Sequence, residues 1–488
     1  MKPHKVLLFI YSVFFILFVI ALTFPKDGID LGCCQLKFAT IDEIFSLPKK
    51  KELSESVKKE VKIAEQLIQE AEKTLASDTI PSDTLAEPDK ENIALPKKVE
   101  AEELKKNITP IEFANEKARQ FFNRFFTKLH QARKKNVRIL YYGDSQIEAD
   151  RITSFIRYKL QSKFGGYGPG MIPPVNFVNF FSIKQAHDDS WNRYSVMQIH
   201  KNGIEHNRYG ILASFARYQP DTTGQPHTLT FEKARYSYSN TKRFDQLTLY
   251  YGHVIDNVVL QVFANDNILD FTTLQQGDFG VYTLSLPKGT EKVELKFSGN
   301  TSPDLYAVSF DSHKGVSVDN IAIRGCSGTF FTKIDATHLK KFFDHINIGL
   351  IVLEFGGNVM PYLKNEEDCK RYGQHFEAQL RVLKKIAPGI PVLVVGPADM
   401  SIKDGTELVT YPLLEKVIEA MKTAAFNQNA GFWNMYQAMG GKNSMPAWVE
   451  AGLATTDYTH FTSKGAVVIA NMLNNAIMNE YESFLQKK

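Results

Sequence analysis

The runs VRILYYG (137–143), VDNIAIRG (318–325), GLIVLEFG (349–356), PVLVVGP (391–397) and GFWNMY (431–436) recur down the chain as short apolar segments. Between the later ones lie HLKKFFDHI, CKRYGQHFEAQLRVLKKI and PLLEKVIEAMKTAAF, whose apolar residues fall at helical spacing. Apolar strands alternating with helices predict a parallel sheet covered on both faces. The expected fold is therefore a doubly wound, flavodoxin-like α/β domain of three layers. Its first folded residues are expected near Thr109, where EFANEKARQFFNRFFTKLHQARKK sets aromatics at helical spacing just before the first strand.

The alternation stops once. From Asn207 to Asp311 the helical pattern gives way to period-two segments such as DQLTLYYG, NVVLQVFAND, GVYTLSLP, KVELKFSG and LYAVSFDS, separated by Gly, Asn, Asp and Pro turns. Short, closely spaced strands of this kind predict an all-β jelly-roll sandwich inserted into the α/β domain.

Upstream, Val6 to Phe24 reads VLLFIYSVFFILFVIALTF, an uncharged stretch long enough to cross a bilayer, preceded by Lys2 and Lys5. The positive-inside rule puts the remainder of the chain outside the cytoplasm. A cleaved signal peptide is the competing reading, but Leu22, Thr23 and Phe24 supply no small-x-small site. A lipid anchor at Cys33 is disfavoured by Asp30 and Leu31, which stand where a lipobox belongs. Lys49 to Lys106 is rich in Lys, Glu and Ser and is expected to be a charged tether, partly helical in its first half. The expected organisation is then an anchor over 1–25, a linker over 26–108, the α/β domain over 109–206 and 312–488, and the β-insert over 207–311. A net charge of +4 over 488 residues offers no footprint for a phosphate backbone, so nucleic acid is not an expected partner.

In open α/β sheets, ligands bind beyond the carboxyl ends of the strands. The first strand ends in Gly143, Asp144, Ser145, which places a serine hydroxyl on a sharp strand-to-helix turn, a geometry suited to a nucleophile. Its base and orienting carboxylate are sought in His460 and Asp457, a three-residue offset that lets the carboxylate curl back onto Nδ1. Candidate oxyanion donors follow the next two strands, at Gly325 and Gly328 and at Asn358. Each residue taken alone is also an ordinary turn former.

Taken in order, Gly-Asp-Ser, the second-strand glycine, Gly-x-Asn and Asp-x-x-His resemble the four blocks of the SGNH (GDSL) hydrolases. The resemblance implies Ser145 as nucleophile, Asp457 and His460 completing a triad, and an oxyanion hole from the Ser145 amide, Gly328 (or Gly325) and Asn358. It departs from the common pattern at Gln146 and Val359. The inserted β-region, the FGGYGPG loop at 164–170 and AMGG at 438–441 are further similar to O-acetylpeptidoglycan esterases, whose inserted module looks like a carbohydrate-binding domain; the match runs from Ile111 to Leu485. The resemblance implies an esterase removing O-acetyl groups from an envelope glycan, with acetylated cell-wall polysaccharide and the cytoplasmic membrane as partners and the catalytic domain on the periplasmic or extracytoplasmic side. No cofactor or metal is called for by that chemistry. Two other readings remain open, a glycan O-acetyltransferase using the same triad and a non-catalytic glycan-binding scaffold.

Other candidates carry less. The glycines 165–170 lack the Gly-Lys-Ser/Thr of a phosphate loop and are expected at a cleft rim. Cys326 as an alternative nucleophile is set against the usual buried, inert thiol. His187, Asp188 and Asp189 are too close in sequence to converge on a metal unaided. Tyr236, Tyr238, Tyr250, Tyr251, Trp191 and Trp433 are expected to pack rather than to stack on sugars.

Overall fold

The computed structural model describes residues 3–25, 28–30, 35, 36, 38, 52–77, 108–199, 204–220 and 224–487. Cys33, Cys34 and residues 78–107 of the expected linker lie outside them. Two compact units result, the smaller comprising 1–52 and 403–407 and the larger everything else. In the smaller unit, His4–Thr23 is a helix of mean hydropathy 2.9, long and apolar enough to cross a membrane.

In the larger unit the strands β1 (Asn136–Gly143), β2 (Gly315–Ala322), β3 (Ile348–Glu354), β4 (Val392–Val395) and β5 (Gly431–Trp433) form one sheet. They are parallel, in the order β2-β1-β3-β4-β5, and the two-residue strand Ile111–Glu112 adds antiparallel to the β5 edge. That order puts a crossover reversal at β1, where an open sheet splays its loops apart and leaves a cleft. Alternate side chains of β1 feed different cores, as a period of two requires. Leu140 and Tyr142 join the face covered by α4 (Ala336–His345), α5 (Glu366–Ile386) and α6 (Leu414–Asn427). Ile139 and Tyr141 join the face covered by α2 (Glu116–His130), α3 (Thr153–Phe164) and α7 (Ser463–Gln486).

Two antiparallel sheets interrupt this pattern between β1 and β2. One orders strands 280–285, 246–252, 304–311, 214–218 and 191–195, and the other 267–273, 259–264, 292–298, 227–233 and 183–187. They close over a shared core containing Leu229, Phe231, Leu249, Leu295, Phe297 and Phe310. The antiparallel region takes in strands upstream of residue 207. The sequence conceals Ile183–His187 because it is an edge strand in which only Ile183 is buried, so no alternation shows.

Arg138 of β1 fastens the two regions together. Its guanidinium, 5% exposed, donates to Asp319 of β2 at 2.7 Å and pairs with Asp311 at the end of strand 304–311. Burial opposes its charge, but the two carboxylates outweigh it and hold the guanidinium protonated.

Two local expectations change. The FGGYGPG loop is not at a cleft rim; a Cβ on Gly166 would lie 2.6 Å from Val316 N, so the loop presses on the backbone entering β2, and its positive φ of 105° suits glycine. The charged stretch expected as a tether supplies a packed helix, α1 (Glu55–Ser77), along α7. Val57 is fully buried there, Asn471 Nδ2 donates to Glu60 Oε2 at 2.8 Å and Lys464 pairs with Glu65 at 2.6 Å. Among the singled-out aromatics, Tyr250, Tyr251, Trp191 and Trp433 are buried, Tyr238 stacks on Tyr158 with ring centroids 4.7 Å apart, and Tyr236 is exposed.

Candidate active site

Beyond the end of β1 the backbone turns sharply. Gly143 allows this turn, since a Cβ there would sit 2.9 Å from the Ile147 side chain and 3.2 Å from Glu354 O. Asp144 then caps the 3-10 turn Ser145–Asp150 by accepting from Gln146 N at 2.9 Å. Ser145 is thereby raised into a cavity of about 280 Å³ lined by Asp144, Glu354, Asn358, Tyr362 and His460, among others.

His460 arrives from the loop before α7, whose first turn is capped by Thr462 Oγ1. Its Nε2 is 2.8 Å from Ser145 Oγ, and its Nδ1 is 2.7 Å from Asp457 Oδ2. The intervening Tyr458 adopts φ +55°, a left-handed conformation that costs a non-glycine residue about 1–2 kcal/mol and folds the carboxylate back over the ring. Three donors hold Asp457 Oδ1: the Thr455 hydroxyl at 2.6 Å and the Thr459 and His460 N–H groups at 3.0 Å. Burial on its own would raise the Asp457 carboxyl, but these hydrogen bonds outweigh it and hold it well below the usual carboxylate range.

Gln146, one of the two departures from the SGNH pattern, proves to belong to the site. Its Nε2 donates to Thr459 O at 2.5 Å and its Oε1 accepts from Phe461 N at 3.4 Å, so one amide brackets His460 from both sides. Thr455, which the sequence does not single out, joins it; besides its hydroxyl bond to Asp457, its N–H donates to His460 O at 2.8 Å. Gln146 shows no signal for this role because it bonds backbone atoms that any residue carries, and Thr455 none because a threonine two residues before an aspartate is an ordinary turn pairing.

The proposed oxyanion donors are less open. Asn358 lines the cavity, but its Nδ2 donates to Asp144 Oδ2 at 2.8 Å and to Cys326 O at 3.2 Å. Gly328 sits in the adjoining turn with φ +77°, its N–H directed at Cys326 Sγ at 3.3 Å, and it is not among the cavity residues. Gly325 is exposed, with open space where a Cβ would be. Cys326 is buried, which pushes its thiol up to about 11, the state of an inert cysteine rather than a nucleophile.

Below the serine lie two buried carboxyls. Burial pushes Asp144 up to about 6, against the opposing bonds from Gln146 and Asn358. Glu354 is pushed further, to about 8, by burial and by the nearby Asp144, although Tyr141 OH donates to its Oε2 at 2.6 Å. A proton retained on Glu354 spares the floor of the cavity a second negative charge.

No family model and no curated protein matches the chain. Among solved structures, it is similar to a peptidoglycan O-acetylesterase at 20% identity and a TM-score of 0.60, over 74% of this chain and 96% of that one. The two share a fold. Weaker likenesses, at TM-scores of 0.28 and 0.25, are to a salicylyl-acyltransferase of a tetracycline biosynthetic pathway and a family two carbohydrate esterase from Clostridium thermocellum. Their identities are 10% and 9%, over 63% and 54% of this chain and 96% of each of those.

Proposed function

We propose that the chain is an SGNH-type serine esterase that removes O-acetyl groups from an envelope glycan, with acetylated peptidoglycan as the favoured substrate, outside the cytoplasmic membrane. The observation that carries this reading is the hydrogen-bonded series Ser145–His460–Asp457, with spacings of 2.8 and 2.7 Å at one cavity. It has the nucleophile, base and orienting carboxylate that acyl transfer requires, with the carboxylate held ionised. The fold shared with a peptidoglycan O-acetylesterase supports the choice of ester, and the apolar helix His4–Thr23 supports an anchored, exported enzyme. The two antiparallel sheets suit a carbohydrate-binding role.

In this mechanism His460 Nε2 takes the Ser145 hydroxyl proton as Oγ adds to the acetyl carbonyl. The Ser145 N–H and Asn358 Nδ2 hold the oxyanion; Gly328, outside the cavity, joins them only by turning its N–H away from Cys326 Sγ. Collapse breaks the bond to the sugar oxygen, which leaves with the proton from His460. A water then gives a proton to Nε2 as it adds to the acetyl-serine carbonyl; collapse breaks the bond to Oγ, which takes the proton back from Nε2, and acetate leaves. Asn358 reaches this role by yielding its longer bond to the neutral Cys326 carbonyl, since a charged acceptor binds an N–H about twice as strongly.

The test is acetate release from acetylated peptidoglycan by the full chain and by Ser145→Ala. Release by the native chain and its loss in the variant is expected. Equal release by both would sink the assignment, and acetyl recovered on a saccharide instead of as acetate would assign transfer in place of hydrolysis.

A further inference from the structure

A second cavity, of about 370 Å³, opens one turn of chain away from the first. The segment Ser145–Asp150 gives Ser145 and Gln146 to the first cavity and Glu148 and Ala149 to the second. Ala149 and the neighbouring Asp150 both have positive φ, 60° and 65°, so the backbone is turned sharply between the two. Asp150 is fixed from behind by Arg157, whose Nη1 donates to its Oδ2 at 2.7 Å, and this buried pair gives the wall a rigid support. The opposite wall comes from the antiparallel region, through Asn176, Phe177, Arg193 and Gln198.

The charges of this cavity do not balance. Arg324 forks onto Glu148, with Nε at 2.9 Å and Nη2 at 2.6 Å, which satisfies the one carboxylate in the lining. Arg193 is left without a carboxylate within ion-pair distance among the described residues, its guanidinium bonded to Ser214 Oγ at 3.2 Å and laid over the Phe177 ring at 4.6 Å. Burial pushes Arg193 down to about 10 against the weaker attraction of Glu148, which is the cost of enclosing a cation with no carboxylate in contact. Polar capacity is also unspent. Arg193 Nε, Asn176 Nδ2, Gln198 Oε1 and Asn320 Oδ1 are enclosed with no hydrogen-bond partner among the described residues. Asn320 cannot relieve this by flipping, because its Nδ2 donates to Ile147 O at 2.7 Å and to Thr153 Oγ1 at 2.8 Å. Enclosed groups left unpaired forfeit their hydration without recompense, so a ligand that turns them onto its own atoms is favoured.

We infer that this cavity is a subsite for a saccharide carrying a carboxylate, which pairs with Arg193 while sugar hydroxyls meet the Asn176, Gln198 and Asn320 amides at a rim formed by the exposed Phe177. The inference rests on the esterase reading, since it places a sugar of the same glycan beside the one being deacylated. A guanidinium recognises a carboxylate by parallel N–H bonds and discriminates strongly against neutral sugars.

Binding is tested on full-length Ser145→Ala, in which turnover does not interfere, by nuclear magnetic resonance titration with N-acetylmuramic acid, glucuronic acid and N-acetylglucosamine. Saturable binding of N-acetylmuramic acid is expected, at least about tenfold tighter than N-acetylglucosamine, which corresponds to one charge-assisted contact. Glucuronic acid distinguishes a simple uronic acid from a lactyl-bearing amino sugar, and binding of either acid supports the class. Adding Arg193→Met should weaken the acid at least tenfold, with Arg193→Lys falling between, in proteins whose circular dichroism matches the parent. Equal affinity for acidic and neutral sugars, an unchanged constant in Arg193→Met, or no saturable binding of any of the three overturns the subsite. None of these outcomes touches Ser145-dependent acetate release, so the two readings fail separately.

Discussion

Asn358 Nδ2 is held 2.8 Å from Asp144 Oδ2, so the residue immediately before the candidate nucleophile anchors the amide that faces the same cavity. With its second hydrogen on Cys326 O, the amide has spent both donors and must surrender one to the oxyanion. Asn358→Ala is expected to lower turnover of an aryl acetate by roughly 10²–10³-fold with little change in KM. Asp144→Ala frees the amide from its anchor and should cost less. Steady-state kinetics decide it, and an unchanged kcat in Asn358→Ala would remove the residue from the oxyanion hole.

Gln146 holds the His460 loop through two backbone atoms, Thr459 O and Phe461 N. Substituting leucine preserves bulk and removes both bonds. Because small displacements of a base are costly, kcat for Gln146→Leu should fall roughly ten- to a hundredfold while KM stays near its original value. Slower inactivation by a serine-directed fluorophosphonate would report the same loss independently; unchanged inactivation and turnover would show that the loop needs no such clamp.

Glu354 provides a pH signature. Burial raises its carboxyl from 4.5 to about 8, so across that window the folded chain keeps a proton that the unfolded chain has released. Stability from this group is therefore fully present below about 4.5 and declines as pH rises through about 8. Glu354→Gln cannot ionise and should gain in thermal midpoint relative to the native chain as pH goes from 5 to 8. A constant difference between the two across that range would mean that Glu354 titrates normally.

Val57 reports on α1. Its side chain is fully buried within the larger unit, so Val57→Ala should destabilise that unit by about 2 kcal/mol, as expected for two buried methyl groups. Chemical denaturation measures this, and a shift within error of zero would mean that α1 does not dock on α7 in solution.

The parallel sheet was readable because each strand is buried on both faces and announces itself as an apolar run. That Ser145, Asp457 and His460 come together was readable as well, because each follows such a run or precedes the last helix. What escaped has a common cause. Gln146 acts on backbone atoms, Thr455 is an ordinary turn residue until its hydroxyl meets Asp457, the strand Ile183–His187 lies at a sheet edge with one buried side chain, and α1 hides an apolar contact within a charged sequence. Arg193 belongs with them, since a cation facing a cavity looks like any surface arginine until the opposite wall is in place.

The Arg138 cluster bears on whether the antiparallel region can be treated as a detachable module. Asp311 ends the last strand of that region, Asp319 sits in β2, and Arg138 lies on the strand that leads to Ser145. Cutting out the antiparallel sheets and rejoining the ends would strip the guanidinium of one of its two carboxylates and open it to one side, at a cost of several kcal/mol typical of breaking a buried pair. A transplant of the α/β part alone would carry a charged fault line in the strand that leads to Ser145. For grafting or truncation, the two regions are one indivisible piece of chain.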